Sequence, residues 1–361
     1  MTRLLPLALV LAFGGPALAG DSPEAAKLAE QLKSPEVGKR VQAAGALNRL
    51  SPAVSSVIPD LVAALKDEYF DVRENAAEAL RKLGAKAVPA LCRALDEDDY
   101  YMQRYAARTL GRMGGEARES IPMLGRALGR TGTDARNEVA RAIVAVGGDN
   151  SAIIPNLLSG LADESPETRE MCAAAFATAG KGAVEPLIKL LSNKNPVLAV
   201  SAARALGEIG PPAEAAVTPL VNMMLAECQR AQDEAAKITD AYISDRSIRY
   251  AIRDSVSVAA LGKIGAQSVP PLKQILEEGD PQKVRWALAA VGRTGAAAVP
   301  ALIVALKDKS PDIRKQAIAA LGRLGAGAAS AVPALTEAAK DADQTVAQAA
   351  TEALKAISAG R

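Results

Sequence analysis

The chain contains no histidine. That absence removes the chemistry that needs an imidazole: histidine-based triads, zinc proteases and proximal haem ligation by histidine. Cysteine is sparse and odd in number, with Cys92, Cys172 and Cys228, so no disulfide framework can be drawn. Aromatic residues make up only 3% of 361 positions, too few for two ordinary globular domains. Runs rich in Val, Ile, Thr and Tyr are missing, which excludes a substantial sheet. Neither charge sign dominates. The 43 Lys and Arg face 41 Asp and Glu, which leaves no general field for attracting nucleic acid or anionic lipid. A phosphate-cradling Gly-Lys-Ser/Thr loop and a Gly-x-Ser-x-Gly elbow are absent as well.

Long apolar runs are also lacking. Leu4 to Phe13 is too short for a bilayer, which needs about 20 residues. Arg3 precedes it, Gly14, Gly15 and Pro16 break it, and Ala17-Leu18-Ala19 supplies a small-x-small cleavage signature. Residues 1–19 therefore read as a signal peptide, cut between Ala19 and Gly20. No Cys follows the cut to carry a lipid. The mature chain, 20–361, is expected outside the cytoplasm, in a periplasm or secreted, with no membrane insertion. Only Arg3 is lost on cleavage, which takes the net charge from +2 to +1.

What is present is a repeat. An apolar-Gly step closes each unit at Gly84, Gly114, Gly147, Gly180, Gly210, Gly265, Gly295 and Gly325, with Ser51 and Ser358 in the same place at the ends. Successive spacings are 33, 30, 33, 33, 30, 55, 30, 30 and 33. A Pro opens the first helix of nine units, from Pro59 to Pro333, where its missing N–H needs no partner. The second helix often begins with a polar cap and Pro, as at Ser165-Pro166, Asn195-Pro196, Asp280-Pro281 and Ser310-Pro311. It ends at the Gly.

Two columns of the second helix say what packs. Four residues before the closing position stand Leu47, Leu80, Leu110, Ile143, Phe176, Leu206, Leu261, Val291, Leu321 and Leu354. Eight before it the residues are small, from Ala43 and Ala76 to Ala317 and Ala350, with Cys172 among them. One helix pair cannot bury such a stripe alone, whereas stacked pairs can. Cys172 is thus expected to be buried and inert. An opening pair, Pro23 to Leu32 with Val37 to Leu50, brings the total to about ten.

Ala260-Leu261-Gly262-Lys263-Ile264-Gly265 followed by Val269-Pro270 resembles a HEAT-like repeat. So does Leu321-Gly322-Arg323-Leu324-Gly325 with Val332-Pro333, and Asp308 with Ile313-Arg314. More narrowly, the chain resembles the short HEAT-like repeats first described in phycobilisome lyase subunits. The resemblance covers essentially all of residues 20–361. It implies an all-α fold, an α-α superhelix or HEAT-like solenoid, used for protein binding. Deoxyhypusine hydroxylases are similar solenoids that hold two irons through His-Glu pairs, and none of those ligands exists here. The expectation is therefore a chain that is not an enzyme and carries no catalytic residue, metal or cofactor. A structural spacer or assembly factor of the cell envelope is the alternative, and a chromophore-lyase-like subunit the third reading.

Three features stand out as candidate surfaces. The first is acidic and aromatic. Asp67-Glu68-Tyr69-Phe70-Asp71 is matched one unit later by Asp96-Glu97-Asp98-Asp99-Tyr100-Tyr101, with Arg104 and Tyr105 close behind. Five of the nine aromatics beyond residue 19 fall between Tyr69 and Tyr105. Aromatic anchors beside charge suit a protein partner. The alternative is that Phe70 and one Tyr fill the core while the acids cap helices, or that calcium sits among the acids. The second feature is a basic column two residues before the closing position: Arg49, Lys82 and Arg112, then Lys263, Arg293 and Arg323. Cations there also suit the helix dipole. The third is an insertion. Pro219 lies 46 residues before Gly265, where 25 is usual, so both helices are expected to lengthen into a projecting hairpin near 225–246. Arg230, Asp233, Lys237 and Tyr242 are its candidate contacts, with another protein or with a second copy of the chain.

Overall fold

The computed structural model describes residues 23–51 and 55–359. The proposed signal peptide, including Leu4 to Phe13 and the Ala17-Leu18-Ala19 signature, lies outside them. Among the described residues every regular element is an α-helix or a short 3₁₀ turn, and no strand occurs. The all-α expectation holds.

Contacts divide the chain into two compact units, the first ending at Ser120 and the second beginning at Ile121. In the first, Val37–Leu50 packs on Phe70–Leu83, which packs on Tyr100–Met113. In the second, Thr133–Val146 packs on Pro166–Ala175, and that helix on Pro196–Ile209. Val256–Ile264, Pro281–Val291, Pro311–Leu324 and Gln344–Ala359 continue the stack. Most have a short first helix behind them with Pro at its first or second position, such as Val88–Ala94 or Val299–Ala305, whereas in Val184–Leu191 and the longer Val217–Ala235 the Pro is third.

The columns explain the stacking. From Leu47 to Leu321 every member of the large apolar column is fully buried. At roughly 1.5–3 kcal/mol for each such side chain, this column dominates the stability of the stack. Leu354, on the helix Gln344–Ala359, is half-buried. The small column, including Cys172 and Ser257, is wholly buried. Gly84 leaves the second helix at φ +60, a conformation that a side chain would strain, and no non-Gly residue has positive φ among the described ones. Ser51 closes its helix instead in an extended conformation, with its N–H and hydroxyl both donated to Leu47 O. The last helix runs through Ser358 without stopping. Residues 311–338 are apolar enough to cross a membrane by length and composition, but Gly325, at φ +51, splits them into helices of 14 and 7 residues.

A third column completes the frame. Eleven residues before the closing position stand Arg40, Arg73, Arg136, Arg169 and Arg314. Four of them donate to two carbonyls of their own inter-helix turn, as Arg73 does to Asp67 O at 2.5 Å and Glu68 O at 2.8 Å. Arg40, Arg136 and Arg314 also reach an Asp in the next turn, respectively Asp67, Asp163 and Asp341.

The insertion departs from the straight hairpin expected. Val217–Ala235 is 19 residues long, whereas the corresponding Val184–Leu191 has 8. The return is broken into Ala241–Asp254 and Val256–Ile264. The break falls at Ser255, whose side chain accepts from Val258 N at 3.1 Å and so begins a new helix. The Ser255 and Ser257 hydroxyls also donate to Glu227 Oε2, at 2.5 and 2.7 Å. Nor does the hairpin project clear of its neighbours. Ala241–Asp254 leans on Pro281–Val291, with Arg285 in an ion pair with Asp245 at 2.9 Å.

Candidate protein-binding surface

The first unit carries the strongest candidate. Tyr69 and Phe70 open one second helix, and Tyr100 and Tyr101 open the next. Helix starts hold few intrahelical contacts, so side chains there turn outward unless a neighbour covers them. These four are 45%, 58%, 41% and 40% exposed. Tyr105, one turn further in, is buried; it belongs to the core, not to the surface set predicted from sequence. Its position faces the preceding helix, whereas Phe70, the suggested core plug, is the most exposed of the group.

Two buried arginines hold the exposed rings. Arg73 fixes the turn at Asp67 and Glu68 through their carbonyls and lies over Tyr101 at 4.2 Å and Tyr105 at 5.3 Å. Arg40 chelates Asp67, meets Glu68 at 3.2 Å and lies 5.5 Å from the Tyr69 ring centre. The hydrogen bonds that Arg40 donates to the Asp67 carboxylate hold its guanidinium above its ordinary pKa. Tyr100 and Tyr101 pack edge to face at 5.1 Å, and Arg104 donates to the Tyr100 hydroxyl at 3.1 Å. The rings are therefore fixed before any partner arrives, which lowers the ordering entropy that binding must overcome.

The rim is acidic. Asp71, Glu97 and Asp98 are exposed and have no ion pair among the described residues. Lys66, Lys86 and Arg93 share a groove with Glu97 without an ion pair to it, and other nearby cations are engaged. Arg40 and Arg73 face inward, while Arg112 meets Glu74 at 3.3 Å beside the Arg108–Glu74 pair. A rigid aromatic patch with free carboxylates around it suits a basic, partly apolar segment.

The remaining candidates lie in the second unit, as separate features. Arg293 is exposed and crosses Gly262, where a Cβ would come within 2.5 Å of its own Cβ, to reach Arg253 O at 3.4 Å. Arg323 is exposed next to Gly292. Lys263 pairs with Glu208 at 2.5 Å. Arg230 and Lys237 are exposed on the hairpin, Asp233 accepts from Gln229 at 2.9 Å, and Tyr242 is 68% exposed. Among the described residues no group of three or more Cys, Asp or Glu converges as metal ligands would. Cys172 is buried, with its thiol pushed up to about 12 by desolvation, and Cys228 is buried and shifted upward for the same reason. Sequence reasoning missed Arg40 and Arg73. Their signal was the arginine recurring eleven residues before the closing position.

A family profile describing HEAT repeats matches residues 25–104, 154–238 and 269–355. Over 80 residues the chain is 44% identical to a phycocyanobilin lyase subunit alpha of Pseudanabaena tenuis, which covers 20% of this chain and 30% of that protein. Over 105 residues it is 35% identical to a phycocyanobilin lyase subunit alpha of a Picosynechococcus species, covering 27% and 38%. The chain thus spans about a third of the length of these relatives. Among solved structures, the karyopherin Kap121p bound to the SUMO protease Ulp1p aligns at TM-score 0.55 and 14% identity, over 93% of this chain and 41% of that one. That likeness is one of fold alone. The expectation that the chain is not an enzyme is corrected by the first two comparisons, because the relatives carry the name of lyase subunits. The missing histidine excludes imidazole chemistry only.

Proposed function

The chain belongs to the HEAT-repeat family, and from that premise we propose that it is a protein-binding subunit whose Tyr69–Phe70 and Tyr100–Tyr101 ridge grips a basic, partly apolar segment of its partner. The observation that carries this reading is the exposure of four large rings on one rigid frame, with three unpaired carboxylates at their rim. Buried arginines beneath exposed aromatics are more than a core requires, since a core needs the stem of Arg73 but not the rings above it. The test is cross-linking with mass spectrometry in native cells. Links from the ridge to one recurrent protein, lost in Phe70→Ala with Tyr100→Ala, support the proposal. Links unchanged by that pair sink it.

A second reading is supported by the similarity to phycocyanobilin lyase subunits. In it the chain serves as a subunit of a lyase acting on a bilin-type chromophore, and the ridge holds the protein that receives or carries it. Adding phycocyanobilin to the purified chain and following its absorption decides this point. A shifted band that persists through gel filtration favours it, and an unchanged free-pigment spectrum removes it.

The proposal includes export. The Leu4 to Phe13 run and the Ala17-Leu18-Ala19 signature support cleavage before Gly20. N-terminal sequencing of protein recovered from the native envelope or medium should begin at Gly20. An N-terminus at Met1 in the cytosolic fraction would overturn it.

A further inference from the structure

The hairpin carries the chemical complement of the ridge. Helix Ala241–Asp254 fully buries one side chain, Ile248, half-buries Ser244, Asp245, Ser247, Ala251 and Ile252 beside it, and leaves its outer face in solvent. Tyr242, Ile243 and Tyr250 are exposed on it, at 68%, 52% and 42%. Arg246 donates to the Tyr250 hydroxyl at 3.0 Å and lies 5.3 Å from that ring, and Arg253 lies 4.7 Å from it on another side. Arg246 has no carboxylate partner among the described residues, and neither do Arg230 and Lys237 on the same hairpin. Arg249 and Arg253 pair only with exposed acids of their own helix, Asp245 and Asp254. Such surface pairs are weak and exchange readily for better partners.

One unpaired cation beside an exposed ring, Arg246 at Tyr250, with Arg230 and Lys237 elsewhere on the same hairpin, thus complements in sign the three unpaired carboxylates of the ridge. We propose that the basic segment seated on the ridge is the hairpin of a second copy of this chain. This rests on the ridge being a binding surface and names its partner. The two patches differ, so the contact is heterologous. Copies can then pair reciprocally, close into a ring or run on head to tail. Arg and Tyr are the residues expected to carry energy at the centre of such a contact. Its charge complementarity makes the association weaken with salt.

The experiment uses the full chain and two charge-reversed variants at exposed, unpaired positions, so that folding is not at stake. The ridge variant is Glu97→Lys with Asp98→Lys, and the hairpin variant is Lys237→Glu with Arg246→Glu. Sedimentation velocity over a wide concentration range should show the wild type associating beyond the monomer and each variant weakened by about thirtyfold or more. Mixing the two variants should restore association, because the intact ridge of one meets the intact hairpin of the other and the two reversed patches are themselves complementary in charge. A monomeric wild type at every concentration overturns the proposal, and so does a wild type that associates while the mixed variants do not. If the monomeric wild type still cross-links through its ridge to another protein in native cells, the ridge reading stands and only the second copy is excluded.

Discussion

The Arg314 guanidinium grips Asp341, 27 residues further on, through both carboxylate oxygens, at 2.7 and 2.8 Å. The same guanidinium accepts no freedom on its other edge, where it donates to Asp308 O and Lys309 O. One side chain therefore closes its own turn and clamps the next repeat. Arg314→Ala should lower the unfolding free energy of the second unit by about 1–3 kcal/mol, because charge-assisted hydrogen bonds and partly buried carbonyls are lost together. Urea unfolding followed by circular dichroism measures it. A loss below a few tenths would mean that the clamp is ornamental.

The same pair sets a pH dependence. The hydrogen bond from Arg314 holds the Asp341 carboxyl below the usual range, helped by the backbone N–H of Asp343. A depressed folded pKa means that the unfolded chain binds the proton more readily. The stabilisation is fully present above the unfolded pKa of about 4 and is lost as pH falls through the folded value. Wild-type stability should therefore fall below about pH 4 more steeply than that of Arg314→Ala, which has already lost the pair. Parallel acid titrations of the two proteins would refute this.

Gly160 and Cys172 make a third test. A Cβ on Gly160 would lie 2.4 Å from Cys172 Sγ, with both groups in the buried seam between helices. Gly160→Ala should destabilise by about 1–3 kcal/mol through overpacking, and Cys172→Ala should relieve part of that in the double variant. Strict additivity of the two changes would show that the contact is not shared.

Thiol chemistry follows from the same burial. With the Cys172 thiol at about 12 and Cys228 also shifted upward, neither should react with a maleimide at neutral pH in the folded chain. Cys92, half-buried on its first helix, should label first. Peptide mapping after brief labelling decides between them, and early modification of Cys172 would contradict its packing.

Ser255 offers the last prediction. Its hydroxyl caps Val258 N and ties the break to Glu227. Ser255→Ala removes both contacts and should cost about 1–2 kcal/mol locally. Limited proteolysis in the 236–240 turn should accelerate while the cleavage pattern elsewhere stays as in the wild type. An unchanged rate would mean that Ile248 and the Asp245–Arg285 pair hold the hairpin without help.

The helix pairs were legible because their cause is periodic. The closing Gly, the opening Pro and the buried Leu and Ala columns recur in step, and each repeat needs only its neighbours to bury its stripe. Local chemistry at fixed spacing determined the fold class, the number of pairs and the burial of Cys172. Other features depended on which groups meet across space. Tyr105 and Tyr101 lie four residues apart on one helix, yet one is core and the other surface, because only the first faces the preceding helix. The break at Ser255 followed from Glu227, 28 residues away, offering both serine hydroxyls an acceptor. In sequence the acidic ridge is a run of caps and acids, whereas in the fold Arg40 and Arg73 turn inward beneath it and Asp71, Glu97 and Asp98 stay unpaired. Sequence by itself determines what repeats. Only the tertiary structure decides which charges are spent inside the frame and which remain to meet a partner, because pairing depends on distance between repeats and not on position along one.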